Sequence, residues 1–162
     1  MSQGDRYLEL AARTGKQKLD ASYRAAFYLL SQDQEITDIA RKHVSTDGID
    51  FAAIKRAVRG FDEISRQVVD IAHNLFSWSS NCKVSPFDIS RLGYPYMEQV
   101  CNAMFIAGDQ YEIILEVNQA DQVVLTLDQS NYEQTKQIHR QMDTIYARML
   151  EAQGETDMEM ER

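Results

Sequence analysis

Cysteine is nearly absent from this sequence, and its scarcity sets aside a disulfide scaffold. Cys82 and Cys101 are the two thiols in 162 residues. They form no Cys-x-x-Cys pair and are expected to stay reduced in a cytoplasmic protein. Proline occurs twice and glycine seven times, so regular elements joined by short connections are expected. No run approaches the roughly 20 apolar residues that cross a bilayer. The stretch Met1 to Leu10 carries Asp5, Arg6 and Glu9 where a signal peptide would be apolar. Also missing are a P-loop, a dinucleotide fingerprint, a nucleophile elbow, a zinc pattern and a deaminase signature. No enzyme class is indicated, and no cofactor is expected.

Basic residues are scarce in the last third. Residues 1–60 carry ten Lys/Arg against eight Asp/Glu, and residues 61–107 carry three against five. Residues 108–162 carry four against twelve, which equals the whole formal charge of −8. An acidic end on a near-neutral body is an electrostatic handle for a protein with a basic surface. The same balance argues against direct binding to nucleic acid or to a membrane surface.

Helical spacing fills most of the chain. Leu19, Tyr23, Phe27 and Leu30 form one stripe, and Asp33 caps a second helix through Ile36, Ile39, Ala40 and Val44. After the turn at Ser45–Gly48, Asp50 caps a short helix through Ile54, Ala57 and Val58. Phe61, Ile64, Val68, Ile71 and Leu75 mark the strongest helix, with Val69, Ala72 and Phe76 widening its buried side. Ser85-Pro86 opens another helix, since proline at the first helical position forfeits no hydrogen bond. A further helix over Pro95–Ala107 stops at Gly108. Tyr111 to Val117 alternates in polarity, and Val123 to Leu127 is β-branched, which predicts a small antiparallel hairpin over about 111–127, with a helical pair as the competing reading. Ser130 and Glu133 are read as a capping box for a last long helix, and an acidic tail from 154 to 162 is expected to be unfolded. The expected fold is mainly α: a compact bundle of about six helices forming one domain over 1–153.

Two segments carry a resemblance. Tyr23 to Ser31 resembles the opening helix of a family of small bacterial proteins known only as a domain of unknown function. Asn74-Leu75-Phe76, the turn Val84-Ser85-Pro86-Phe87-Asp88 and the helix end Asn102-Ala103-Met104 are similar to that family's second signature. Phe87 stands where the family has an aliphatic residue. The resemblance covers about residues 20–107. It implies a helical fold and a setting in bacteria, their phages and other mobile elements, and it supplies no activity. The acidic third, from 108 onward, lies outside it.

Candidate sites follow from residue type and spacing, each with a plainer alternative. Asp70 and His73, and His139 and Asp143, are carboxylate–histidine pairs three and four apart on helices, the material of a bundle metal site; a hydrogen-bonded, partly buried His73 and an exposed His139 are the plainer reading. Cys82 adjoins Lys83, whose charge would lower the thiol pKa, although a bystander thiol is simpler. Lys55, Arg56, Arg59 and Arg66 form a basic patch that is read first as a solvated face or a dock for the acidic third. Trp78 and Tyr94 are either interface anchors or the closure of one end of the core. Glu112, Glu116, Asp121 and Asp128 surround the expected hairpin, and Glu112 and Glu116 are expected on the face opposite Tyr111, Ile113 and Leu115. Ile138, Met142, Ile145 and Met149, spaced four, three and four, form a coiled-coil-like seam suited to the chain's own domain or to a homodimer.

These features lead to the expectation of a non-enzymatic accessory factor from a phage or mobile element. It would block a basic host protein, such as a nucleic-acid-binding defence effector, through the acidic third. The alternatives are a metal-dependent bundle enzyme and a self-associating structural protein.

Overall fold

The computed structural model describes residues 1–161 and is mostly helical, with two small antiparallel hairpins. In chain order the elements are α1 (Gln3–Arg13), α2 (Ala21–Leu30), α3 (Gln34–Ala40), β1 (Val44–Ser45) and β2 (Gly48–Ile49). Then come α4 (Phe51–Ala57), α5 (Glu63–Phe76), α6 (Pro86–Ser90), α7 (Tyr96–Ala107), β3 (Glu112–Val117), β4 (Val123–Asp128) and α8 (Ser130–Met160). A 3-10 turn, Arg41–His43, links α3 to β1. The chain divides into two compact units, Met1–Asp128 and the remainder from Gln129 onward.

The first unit is built around α2. Its sequence is apolar on almost every side, and a helix of that kind must be buried all round. Tyr23 and all residues from Ala25 to Leu30 are buried, with Arg24 alone in that stretch reaching outward. Helices α1, α5 and α7 pack against it. Each fully buried leucine or phenylalanine, such as Phe27, Leu29 or Leu30, contributes about 1.5–3 kcal/mol. An aromatic chain ties four helices together. Tyr7 meets Phe27 edge-on at 6.3 Å, Tyr23 meets Phe76 at 4.9 Å, and Phe51 meets Phe76 at 5.7 Å.

Three helix starts match the sequence reading. Asp33 and Asp50 cap α3 and α4 through their carboxylates. Ser85 and Asp88 close a reciprocal capping box with Pro86 at the first helical position of α6. Two asparagines are tied down by side-chain hydrogen bonds: Asn74 Nδ2 donates to the Ser80 carbonyl at 3.3 Å, and Asn102 Nδ2 donates to the Tyr28 hydroxyl at 3.1 Å.

Three features differ from the sequence reading. Helix α1 was not foreseen, although Ser2 and Asp5 form a capping box and Gly4, Tyr7, Leu10 and Thr14 recur at helical spacing along its buried side. At the start of α8 there is no capping box: Gln129 occupies the cap position without a side-chain bond, and the Glu133 carboxylate pairs with Lys136 at 3.1 Å. The stretch expected as an unfolded tail continues α8 to Met160. Apart from Gly154, the residues there propagate a helix at little cost, and Thr156 Oγ1 bonds back to the Ala152 carbonyl.

The second hairpin is seated on α1. Strands β3 and β4 pair in the register Glu112↔Asp128, Ile114↔Thr126, Glu116↔Val124 and Val117↔Val123. Ser2 Oγ donates to the Val123 carbonyl, and Val123 N donates to the Asp5 carboxylate at 3.3 Å. The backbone at Gly4 runs so close that a Cβ there would lie 2.3 Å from the Val123 oxygen. Only glycine permits that approach.

Candidate protein-binding surface

Alternation along the hairpin sorts its side chains onto two faces. Ile113, Leu115, Val123, Leu125 and Leu127 are half-buried, while Glu112, Ile114, Glu116, Val124 and Thr126 are exposed. Glu112 and Glu116 therefore share the outer face, opposite Ile113, Leu115 and the buried Tyr111, as alternation predicts. Asp128 stands across the ladder from Glu112. Asp128 is half-buried and Glu112 is exposed. Asp121 sits exposed in the connecting turn at φ 60°. There the Asn118 side chain accepts from the backbone N–H groups of Ala120 and Gln122, both at 3.0 Å. Asp109, the first acidic residue of the region, pairs with Arg24 at 2.8 Å.

The exposed aromatics decide between two readings. Trp78 is 91% exposed and Tyr94 is 86% exposed, so neither closes an end of the core. Burial of an indole or phenol ring would have stabilised the fold; here it is left undone. They stand in the connections that flank α6.

Among the metal candidates, Asp70 is already engaged. One of its oxygens accepts from Lys55 Nζ at 2.9 Å and the other from Lys83 N at 2.9 Å, tying α4 and the loop after α5 to the α5 surface. His73 stacks on Phe51 with ring centroids 4.6 Å apart. Its Nδ1 is buried with no hydrogen-bond partner. Burial of the ring, and secondarily the charge of Lys55, hold its pKa below the usual imidazole value. In α8, the exposed His139 Nδ1 lies 3.1 Å from the Asp143 carboxylate. Among the described residues no group of three or more His, Cys, Asp or Glu converges to hold a metal.

The Cys82 thiol is not activated by Lys83 as the sequence suggested. Burial pushes its pKa up, because the thiolate is the form that suffers desolvation. Within the basic patch Lys55 is occupied by Asp70, whereas Arg56, Arg59 and Arg66 are exposed. Arg66, Lys83, Asp70, Glu63 and Asp88 line one shallow groove, so that the patch mixes both signs and is no anion cradle. A cleft of about 760 Å³ lies between α1, the loop after it and β3. Lys16, Lys18 and Arg24 line it beside Leu8, Leu19, Ile113 and Leu115. It escaped the sequence reading because α1 did.

The chain matches no family model, no curated protein and no solved structure.

Helix α8 has surface character throughout. None of its residues is buried, and Ile138, Met142, Ile145 and Met149 are between 51% and 65% exposed. Tyr146 and Leu150 extend the same apolar stripe. The helix is 31 residues long, or about 46 Å. No helix among the described residues is long and apolar enough to cross a membrane.

Proposed function

We propose that this chain is a non-enzymatic accessory factor, encoded by a phage or other mobile element, that binds and blocks a basic host protein such as a nucleic-acid-binding defence effector. The observation carrying this reading is the outer face of the β3–β4 hairpin. There Glu112 and Glu116 are exposed at positions four apart on one strand, about 13 Å along it, with Asp128 beside Glu112 and Asp121 at the turn. The opposite face of the same hairpin is held on α1, which makes the acidic face rigid. A rigid row of carboxylates presents a basic channel with spaced charges of the sign it receives from nucleic acid, at little ordering cost. Ile114 and Val124 between them supply apolar contact. Trp78 and Tyr94 are further anchor points of the kind found at binding hot spots. The setting rests on the resemblance of residues 20–107.

The test is capture from bacterial lysate on the immobilised full chain, with identification of retained proteins. A basic nucleic-acid-binding protein is expected to be retained at about 0.1 M salt and released near 1 M, as the screening length shrinks. The variant E112K/E116K/D121K/D128K is expected to lose it. Equal retention by that variant at low salt defeats the reading.

A further inference from the structure

We infer that α8 is a self-assembly element that pairs antiparallel with α8 of a second copy. This stands apart from the hairpin's acidic face and does not depend on the function proposed for it. Three observations on α8 carry it. First, its apolar stripe is fully formed and uncovered: Ile138, Met142, Ile145 and Met149 are each more than half exposed. Their spacing of four, three and four places Ile138 and Ile145 at one core position of a heptad and Met142 and Met149 at the other. That repeat presents knobs to the holes of an equivalent helix. A second copy offers the same stripe by definition, and two-fold pairing of identical surfaces is the commonest assembly.

Second, charge selects the direction. Residues 149–161 hold Glu151, Glu155, Asp157, Glu159 and Glu161 and no lysine or arginine, while residues 130–148 hold Lys136, Arg140 and Arg148 against Glu133 and Asp143. A parallel pair would lay five carboxylates beside the same five, with Glu159 falling on the continued heptad and meeting its own counterpart. It would also align the two helix dipoles. The antiparallel pair brings Glu151, Glu155 and Asp157 level with the other helix's first two turns, where the dipole is positive.

Third, one antiparallel register satisfies the whole stripe. Setting Ile138 level with Met149 of the other copy also sets Met142 level with its Ile145, so all four residues fill core layers. The stripe from Ile138 to Leu150 spans about 18 Å, which places the contact among small, reversible interfaces.

The experiment uses the full chain. Light scattering at about 100 µM, a concentration suited to a small interface, is expected to give twice the chain mass of 18.6 kDa. Ile145→Lys is expected to halve that mass while leaving the urea midpoint of the first unit unchanged, which separates loss of pairing from loss of fold. Direction is read by oxidative crosslinking in a C82S/C101S background. An equimolar mixture of I138C and M149C chains is expected to give disulfide-linked dimers at least tenfold more than either variant alone. A monomeric wild-type chain at that concentration overturns the inference. Efficient crosslinking by I138C alone and by M149C alone overturns the antiparallel direction. The hairpin substitutions E112K/E116K/D121K/D128K leave the seam intact and are expected to preserve the doubled mass.

Discussion

Gly4 occupies a helical position where alanine would ordinarily be the better residue by about 0.5–1 kcal/mol. Here the added methyl would meet the Val123 oxygen at 2.3 Å and its carbonyl carbon at 2.7 Å, and backbone does not yield as a flexible side chain does. Gly4→Ala is therefore expected to lower the unfolding free energy by about 1–3 kcal/mol, the cost of overpacking, read as a reduced urea midpoint at constant m-value. Gly154→Ala, with open space around it, is the control and is expected to be neutral or stabilising. Stabilisation by the Gly4 substitution would mean that the hairpin does not rest on α1. His73 supplies a second prediction. Its folded pKa lies below the ordinary 6.5, chiefly because the ring is desolvated, so the unfolded chain takes up the proton first as pH falls. The contribution is complete above pH 6.5 and declines below it. The urea midpoint is expected to fall between about pH 8 and about pH 5.5, and His73→Phe, which keeps the stack on Phe51, is expected to flatten that fall. An unchanged slope in His73→Phe would assign the pH dependence elsewhere.

At the scale of elements, capping residues explain which boundaries were legible. Asp33, Asp50 and Ser85-Pro86-x-Asp88 lie next to apolar runs of helical spacing, so local chemistry and pattern agree. In α1 the cap Ser2-x-x-Asp5 precedes a stripe made of Gly4, Tyr7, Leu10 and Thr14, of which only Leu10 reads as a core residue. The rest are buried by neighbours that the sequence does not display. Ser130 and Glu133 failed for the opposite reason: the spacing of a capping box was present, but the cap position fell one residue earlier. Three carboxylates at helix starts carry a prediction. Asp5 is held below the usual carboxylate range by the Ser2 hydroxyl and then by its backbone N–H. Asp62 and Asp88 are held low chiefly by the backbone N–H groups of Ser65 and Ser85. Each folded pKa lies below the unfolded 3.8, so their support is present above that pH and disappears as pH falls through the folded values. Thermal scans are expected to show a drop in melting temperature as pH falls below about 4. Asp5→Asn is expected to show a smaller acid drop than wild type, and an identical drop would remove Asp5 from the account.

For the whole molecule, every buried apolar side chain among the described residues lies between Tyr7 and Tyr111, and α8 contributes none. A fragment of residues 1–128 is thus expected to unfold cooperatively, with both hairpins and a melting temperature within a few degrees of the full chain, because nearly all apolar burial remains. A non-cooperative melt would show that α8 is required for the fold. The mainly helical class, the β3–β4 hairpin, its two-faced character and the apolar stripe on the last helix followed from period and charge alone, since those properties belong to single elements. Tertiary structure decided what required two distant segments to meet. It seated the hairpin on α1 through Gly4 and Val123. It committed Asp70 to Lys55 and the Lys83 backbone, left His73 Nδ1 buried without a hydrogen bond, turned Trp78 and Tyr94 outward, and raised the Cys82 pKa. Periodicity reports which side of an element is apolar, and only packing reports what lies against it.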